Sequence, residues 1–126
     1  MSIQSSSDIV VVRQVVRQFA VKLGFSLVDQ TKMVTAASEL ARNTLDYGGG
    51  GMVKLETLQS GNRWGLRLTF EDKGPGIPDI DLALKDGYTT GSGLGLGLSG
   101  TKRLVNEFNI VSHVGEGTCV TITKWR

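Results

Sequence analysis

Cysteine, histidine and proline are nearly missing from this chain: one, one and two residues among 126. The lone thiol, Cys119, cannot close an internal disulfide, so a disulfide scaffold is excluded and a reducing, cytoplasmic setting is expected. The lone histidine, His113, lies in a strand-like stretch beside apolar residues, and catalysis by it is disfavoured because histidine roles usually need a partner base or ligand cluster. A strong charge of one sign is absent too. The formal net charge is +2, which supplies no basic field for nucleic acid or an anionic membrane. Long apolar runs are also wanting. The opening "MSIQSSSDIVVVRQ" has no cationic leader, and its apolar run breaks at Arg13, so it reads as neither signal peptide nor membrane span.

What the chain has in excess is glycine, 17 residues in all. They gather at Gly48–Gly51, at Gly74 and Gly76, and through "TTGSGLGLGLSG", Thr89 to Gly100. Clustered glycine suggests backbone made to approach something closely or to move. The length suits one domain over residues 1–126, with a core of ordinary stability.

Spacing predicts the elements. Val12, Val15, Val16, Phe19 and Leu23 follow helical periodicity, with Gly24 as the stop. "SLVD", Ser26 to Asp29, has capping-box form and opens a second helix over Val28 to Tyr47. Its apolar stripe, Val34, Ala37, Ala41 and Leu45, is expected to pack on a sheet. "MVKLETL" and "WGLRLTFE" read as strands joined by the turn "QSGNR". "DKGPGIPD" is a loop, and a short helix is expected near Ile80 to Lys85. A third helix is predicted over Gly97 to Phe108, burying Leu98, Thr101, Leu104, Val105 and Phe108. "NIVSHV", "GEG" and "TCVTITKW" make a closing hairpin. That order gives an α+β fold: a two-layer sandwich with a mixed, mainly antiparallel sheet and helices on one face.

Three stretches carry candidate chemistry. In "SELARN", Glu39 and Asn43 stand four residues apart and share one helix face. A carboxylate there can take a proton from a hydroxyl, and an amide oxygen can ligate Mg²⁺; two solvated helix residues are the plain alternative. Asp72 ends a strand ahead of Gly74 and Gly76, where it can accept from an exocyclic amine while the glycines admit a flat ring. Gly93, Gly95 and Gly97 alternate with leucines just before a helix, where N–H groups and the helix dipole favour an anion. The leucines suggest a lid that packs down when filled. The segment fits neither a Walker loop nor a dinucleotide fingerprint. Arg42 reads equally well as a phosphate contact or as a salt-bridge partner, and Lys102 and Arg103 equally well as phosphate contacts or as solvated helix surface.

Taken in order, "ELARN", "DKGPGI" and "GSGLGLGL" resemble the three nucleotide boxes of the GHKL ATP-binding superfamily, and "GEGTCVTI" resembles its closing motif. "TAASELARNTLDYGGGG" and "KRLVNEF" with "GEGT" and "KW" look most like the RsbT-type switch kinases. The resemblance implies a Bergerat fold, ATP and Mg²⁺ as cofactors, and serine/threonine kinase activity. It implies Glu39 as catalytic base, Asn43 on the metal, and Asp72 on the adenine amine with Thr118 close by. Gly74, Gly76 and Ile77 would join the nucleotide-contacting set. Gly91, Gly93, Leu94, Gly95, Leu96 and Gly97 would form the lid and phosphate cradle. The implied substrate is a serine or threonine on a STAS-domain antagonist or scaffold protein. A PP2C-type phosphatase or a sigma factor is a further implied partner, so sequestration of a sigma factor or activation of a phosphatase are the alternative outputs. A histidine-kinase reading is disfavoured by Asp46, where such kinases usually carry a basic residue.

Overall fold

A computed structural model describes residues 1–84 and 97–126. The strands β1 (Ser2–Ile3), β2 (Gly51–Ser60), β3 (Arg63–Asp72), β4 (Glu107–His113) and β5 (Gly117–Trp125) form one sheet in the order β1-β2-β3-β5-β4. Among the described residues every pairing is antiparallel, in keeping with the mainly antiparallel sheet expected. The helices are α1 (Ser6–Lys22), α2 (Leu27–Asp46), the single turn α3 (Ile80–Ala83) and α4 (Gly97–Arg103).

Alternation along the strands makes the two-layer core. Val53 on β2, Leu66, Leu68 and Phe70 on β3, and Val120 and Ile122 on β5 are all buried. Successive inward positions lie two apart, as a pleated strand requires. Against them α2 buries Met33, Val34, Ala36, Ala37, Leu40 and Ala41, and α1 buries Ile9, Val12, Val16 and Ala20. Leu45, expected in the same stripe, is half-buried.

Helix ends follow their local chemistry. Gly24 leaves α1 with φ +81, its N–H bonded to the Val21 carbonyl and the Phe25 N–H to the Ala20 carbonyl. That is a Schellman ending, and the buried Phe25 supplies its apolar contact. At the start of α2, the Ser26 hydroxyl accepts from the Asp29 N–H at 3.1 Å, as the capping box predicts. The reciprocal half departs from expectation. Asp29 instead faces the almost buried ammonium of Lys124 at 3.5 Å, and Lys124 Nζ also donates to the Leu104 carbonyl. A cation therefore sits at the C-terminal end of α4, where the helix dipole favours it.

Two predicted boundaries move. The β2–β3 hairpin turns on Gly61 and Asn62 alone, with Ser60 paired to Arg63. Gly61 has φ +60 and no non-glycine residue among the described residues has positive φ, the sign pattern of a type II′ turn. The third helix stops at Arg103 instead of Phe108. Asn106 gives its N–H to the Thr123 carbonyl and accepts the Trp125 N–H at 2.8 Å, which pulls the chain into β4. Phe108 still faces the core, from a strand, opposite Ile122. No helix among the described residues is long and apolar enough to cross a membrane.

Candidate functional site

One row of residues crosses the sheet beside the end of α2. Asp72, the last residue of β3, pairs in register with Thr118 on β5, and Thr118 pairs in turn with Ser112 on β4. Asp72 and Thr118 lie two positions beyond Phe70 and two before Val120, so they continue the helix-facing side to its rim. All three are half-buried. Thus 46 residues of sequence separate two oxygens that the antiparallel register makes neighbours.

The C-terminal end of α2 is packed down on this row. The Asn43 carbonyl accepts the N–H groups of Tyr47 at 3.0 Å and Gly48 at 3.3 Å, which turns the chain at Gly48. A side chain on Gly48 would overlap the Asp72 Cβ and Cγ and approach the Thr44 carbonyl oxygen to 2.6 Å. A side chain on Gly74 would lie 2.7 Å from the Gly48 Cα. Glycine is required here by close approach. Thr44, which sequence reasoning passed over, is buried; its hydroxyl donates to the Leu40 carbonyl at 2.8 Å and its methyl occupies the space above Gly51. Glu39 and Asn43 follow one another on α2 one turn apart, both half-buried, at the margin of the packed stripe.

The loop after β3 is stitched to the β4–β5 turn. Asp72 Oδ1 accepts from the Gly74 N–H at 2.9 Å, the Pro75 carbonyl from the Gly115 N–H at 2.8 Å, and Ser112 Oγ from the Ile77 N–H at 2.7 Å. Gly76, at φ +78, presses on the His113 backbone. Gly97 begins α4, and its carbonyl accepts the Thr101 hydroxyl at 3.0 Å. Gly91, Gly93, Leu94, Gly95 and Leu96 lie outside the described residues. Arg42, Lys102 and Arg103 are exposed. His113 is exposed at the end of β4 and meets the loop through its main chain.

Cys119 projects from the opposite sheet face, beside Glu71 in register. Burial pushes its thiol up from the ordinary value, and the Glu71 carboxylate adds to the shift, only partly countered by the Thr121 hydroxyl. Less thiolate at neutral pH means less nucleophile. Iodoacetamide at pH 7.5 is therefore expected to alkylate Cys119 more slowly than the same cysteine in an unfolded peptide, followed by mass spectrometry. Equal rates would place the thiol in open solvent.

The family described as Histidine kinase-, DNA gyrase B-, and HSP90-like ATPase matches residues 28–126. The chain belongs to this family. It is 47% identical to the serine/threonine-protein kinase RsbT of Bacillus subtilis (strain 168) over 123 residues, covering 98% of this chain and 92% of that one. It is 29% identical over 119 residues to an anti-sigma F factor of Thermoanaerobacter sp. (strain X514), covering 90% and 82%. Among solved structures it resembles the RsbU and RsbW domains of a Mycobacterium tuberculosis protein, with TM-score 0.66 and 21% identity. The match takes in 100% of this chain and 32% of that one. The catalytic domain of the histidine kinase ThkA gives TM-score 0.56 at 16% identity, over 98% of this chain and 93% of that one. These last two likenesses speak to the fold. The near full-length likeness to a kinase makes the chain a partner-switching protein-serine/threonine kinase, with an anti-sigma output the less favoured alternative. ATP use follows from the family.

Proposed function

We propose that residues 1–126 act as one ATP-binding kinase domain that phosphorylates a serine or threonine of a STAS-domain antagonist or scaffold protein. The observation that supports this best is the pairing of Asp72 and Thr118 at the end of α2. Two oxygen acceptors at a half-buried rim suit an exocyclic amine, as adenine carries. Gly74, Gly76 and Ile77 border that position, held by the loop's bonds to β4 and the β4–β5 turn.

The metal is assigned by donor chemistry. Among the described residues no group of three His, Cys, Asp or Glu could hold an ion. Mg²⁺ typically takes one or two protein oxygens and completes its shell with phosphates and water. The Asn43 amide oxygen meets that requirement. Bound Mg²⁺ would neutralise charge on the transferring phosphate. Glu39, one turn earlier on the same helix, would accept the proton of the incoming hydroxyl. Gly91, Gly93, Leu94, Gly95, Leu96 and Gly97 would enclose the phosphates. A PP2C-type phosphatase and a sigma factor remain the further partners this reading admits.

Asp72→Asn tests the base-reading end. It replaces an acceptor-only group by one that also presents donors, and an unsatisfied buried polar group costs about 1–3 kcal/mol. ATP affinity measured by calorimetry is therefore expected to fall roughly ten- to hundredfold. Preference over GTP should shrink with it. Unchanged ATP affinity would remove Asp72 from the site.

A further inference from the structure

Ser112 has no assigned role, yet three polar groups converge on its hydroxyl. The Ile77 N–H lies at 2.7 Å, the Thr118 Oγ1 at 2.8 Å and the Gly117 carbonyl oxygen at 3.2 Å. A hydroxyl carries one proton and two lone pairs. The Ile77 N–H can only donate and the Gly117 carbonyl can only accept. All three bonds form together in one arrangement: Ser112 accepts from Ile77, donates to Gly117, and accepts from Thr118. If Ser112 donated to Thr118 instead, the bond to Gly117 would be lost and a lone pair left idle.

We propose that Ser112 is a positioning residue that draws the Thr118 proton toward itself, so that Thr118 meets the nucleobase as an acceptor and the site rejects 6-oxopurines. This rests on the reading of Asp72 and Thr118 as the base-binding end. Asp72 Oδ1 already accepts the Gly74 N–H at 2.9 Å, which leaves Oδ2 for a ligand. Side chains opposite one another on antiparallel strands have Cβ atoms roughly 4.5–5.5 Å apart. Acceptor oxygens carried on side chains so paired can share the two N–H bonds of one amino group. A 6-oxo group brings only lone pairs to the same place. At position 6 it offers neither acceptor a donor, the kind of mismatch that polar sites discriminate strongly. Without Ser112 the Thr118 hydroxyl is free to turn and donate, and a 6-oxo group regains a partner.

The experiment compares ATP with inosine triphosphate, which differs at position 6 and in the N1 proton that accompanies it. Calorimetry on wild type, Ser112→Ala, Ser112→Thr, Thr118→Val and the Ser112→Ala/Thr118→Val double variant reads the ratio of the two affinities. Wild type is expected to prefer ATP by about a hundredfold, and Ser112→Ala to reduce that to about tenfold or less. Ser112→Thr keeps the hydroxyl and restores the ratio. In the Thr118→Val background, Ser112→Ala should leave the ratio unmoved, because the residue acts through Thr118. A merely structural Ser112, holding the loop by the Ile77 N–H, would weaken both nucleotides by one factor. That equal loss, or a ratio change that persists without Thr118, overturns the proposal while leaving the ATP site intact. Failure of the site itself looks different: wild type would bind both nucleotides alike and Asp72→Asn would change neither, and the role of Ser112 would fall with it.

Discussion

Replacing Glu39 by glutamine is expected to slow phosphoryl transfer about 10²–10⁴-fold, the usual contribution of a positioned base, while ATP still binds. The substitution keeps size and hydrogen-bonding reach but removes the capacity to take a proton. Glu39 lies at the margin of the α2 stripe, half-buried, so the amide can occupy the same place without opening the core. Asn43→Ala should behave differently, losing Mg²⁺-dependent ATP binding and transfer together. The two variants separate because phosphoryl transfer depends both on charge neutralisation at the phosphates and on orientation of the acceptor oxygen. Single-turnover transfer at saturating ATP, with nucleotide affinity measured separately, distinguishes them. Equal rates for wild type and Glu39→Gln would end the assignment of Glu39 as base.

How far these roles could be read in advance depended on how each feature is encoded. The long helices carry their own signal. Val12 and Val16 on α1, and Val34, Ala37 and Ala41 on α2, repeat at helical spacing and are buried as a stripe. The end of α4 misled for the same reason. Leu104, Val105 and Phe108 also fit helical spacing, but Asn106 spends its main-chain and side-chain groups on β5, and pairing with that strand outweighs local periodicity. Two residues of β1 leave no period to detect. They are held through the main chain against Gly51 and Met52, and the bonds between Met1 and Val53 extend that pairing. The capping box was half legible, because Ser26 finds its partner three residues away whereas Asp29 is drawn to Lys124 from the far end of the chain. The candidate site divides in the same manner. Glu39 and Asn43 share a face by spacing alone. Asp72 and Thr118 meet only through register, and in the sequence only the family resemblance linked them. Ser112 had no such link, being one of several alternating strand residues until the sheet set it beside Thr118.

The glycine run after α2 separates close packing from mere flexibility, and a pair of adjacent variants should expose the difference. Gly48→Ala is expected to lower ATP affinity roughly tenfold or more, the order expected when the Asp72 hydrogen bond to the base is disturbed. The added methyl would overlap the Asp72 Cβ and Cγ and crowd the Thr44 carbonyl. Asp72 has little room to yield, because its Oδ1 is tied to the Gly74 N–H and Gly74 itself rests against Gly48. Overpacking of this kind costs roughly 1–3 kcal/mol in stability as well. Gly49→Ala is the control. Gly49 has φ +74 and, among the described residues, nothing within 4 Å of where a Cβ would stand. Its penalty is conformational, about 1–2 kcal/mol for a left-handed residue with a side chain, and it falls on folding without touching Asp72. Thermal unfolding should thus report a loss in both variants, while calorimetry with ATP should report a loss in Gly48→Ala alone. Matching ATP affinities in the two would show that Asp72 tolerates the intrusion, and Gly48 would then serve the turn and not the site.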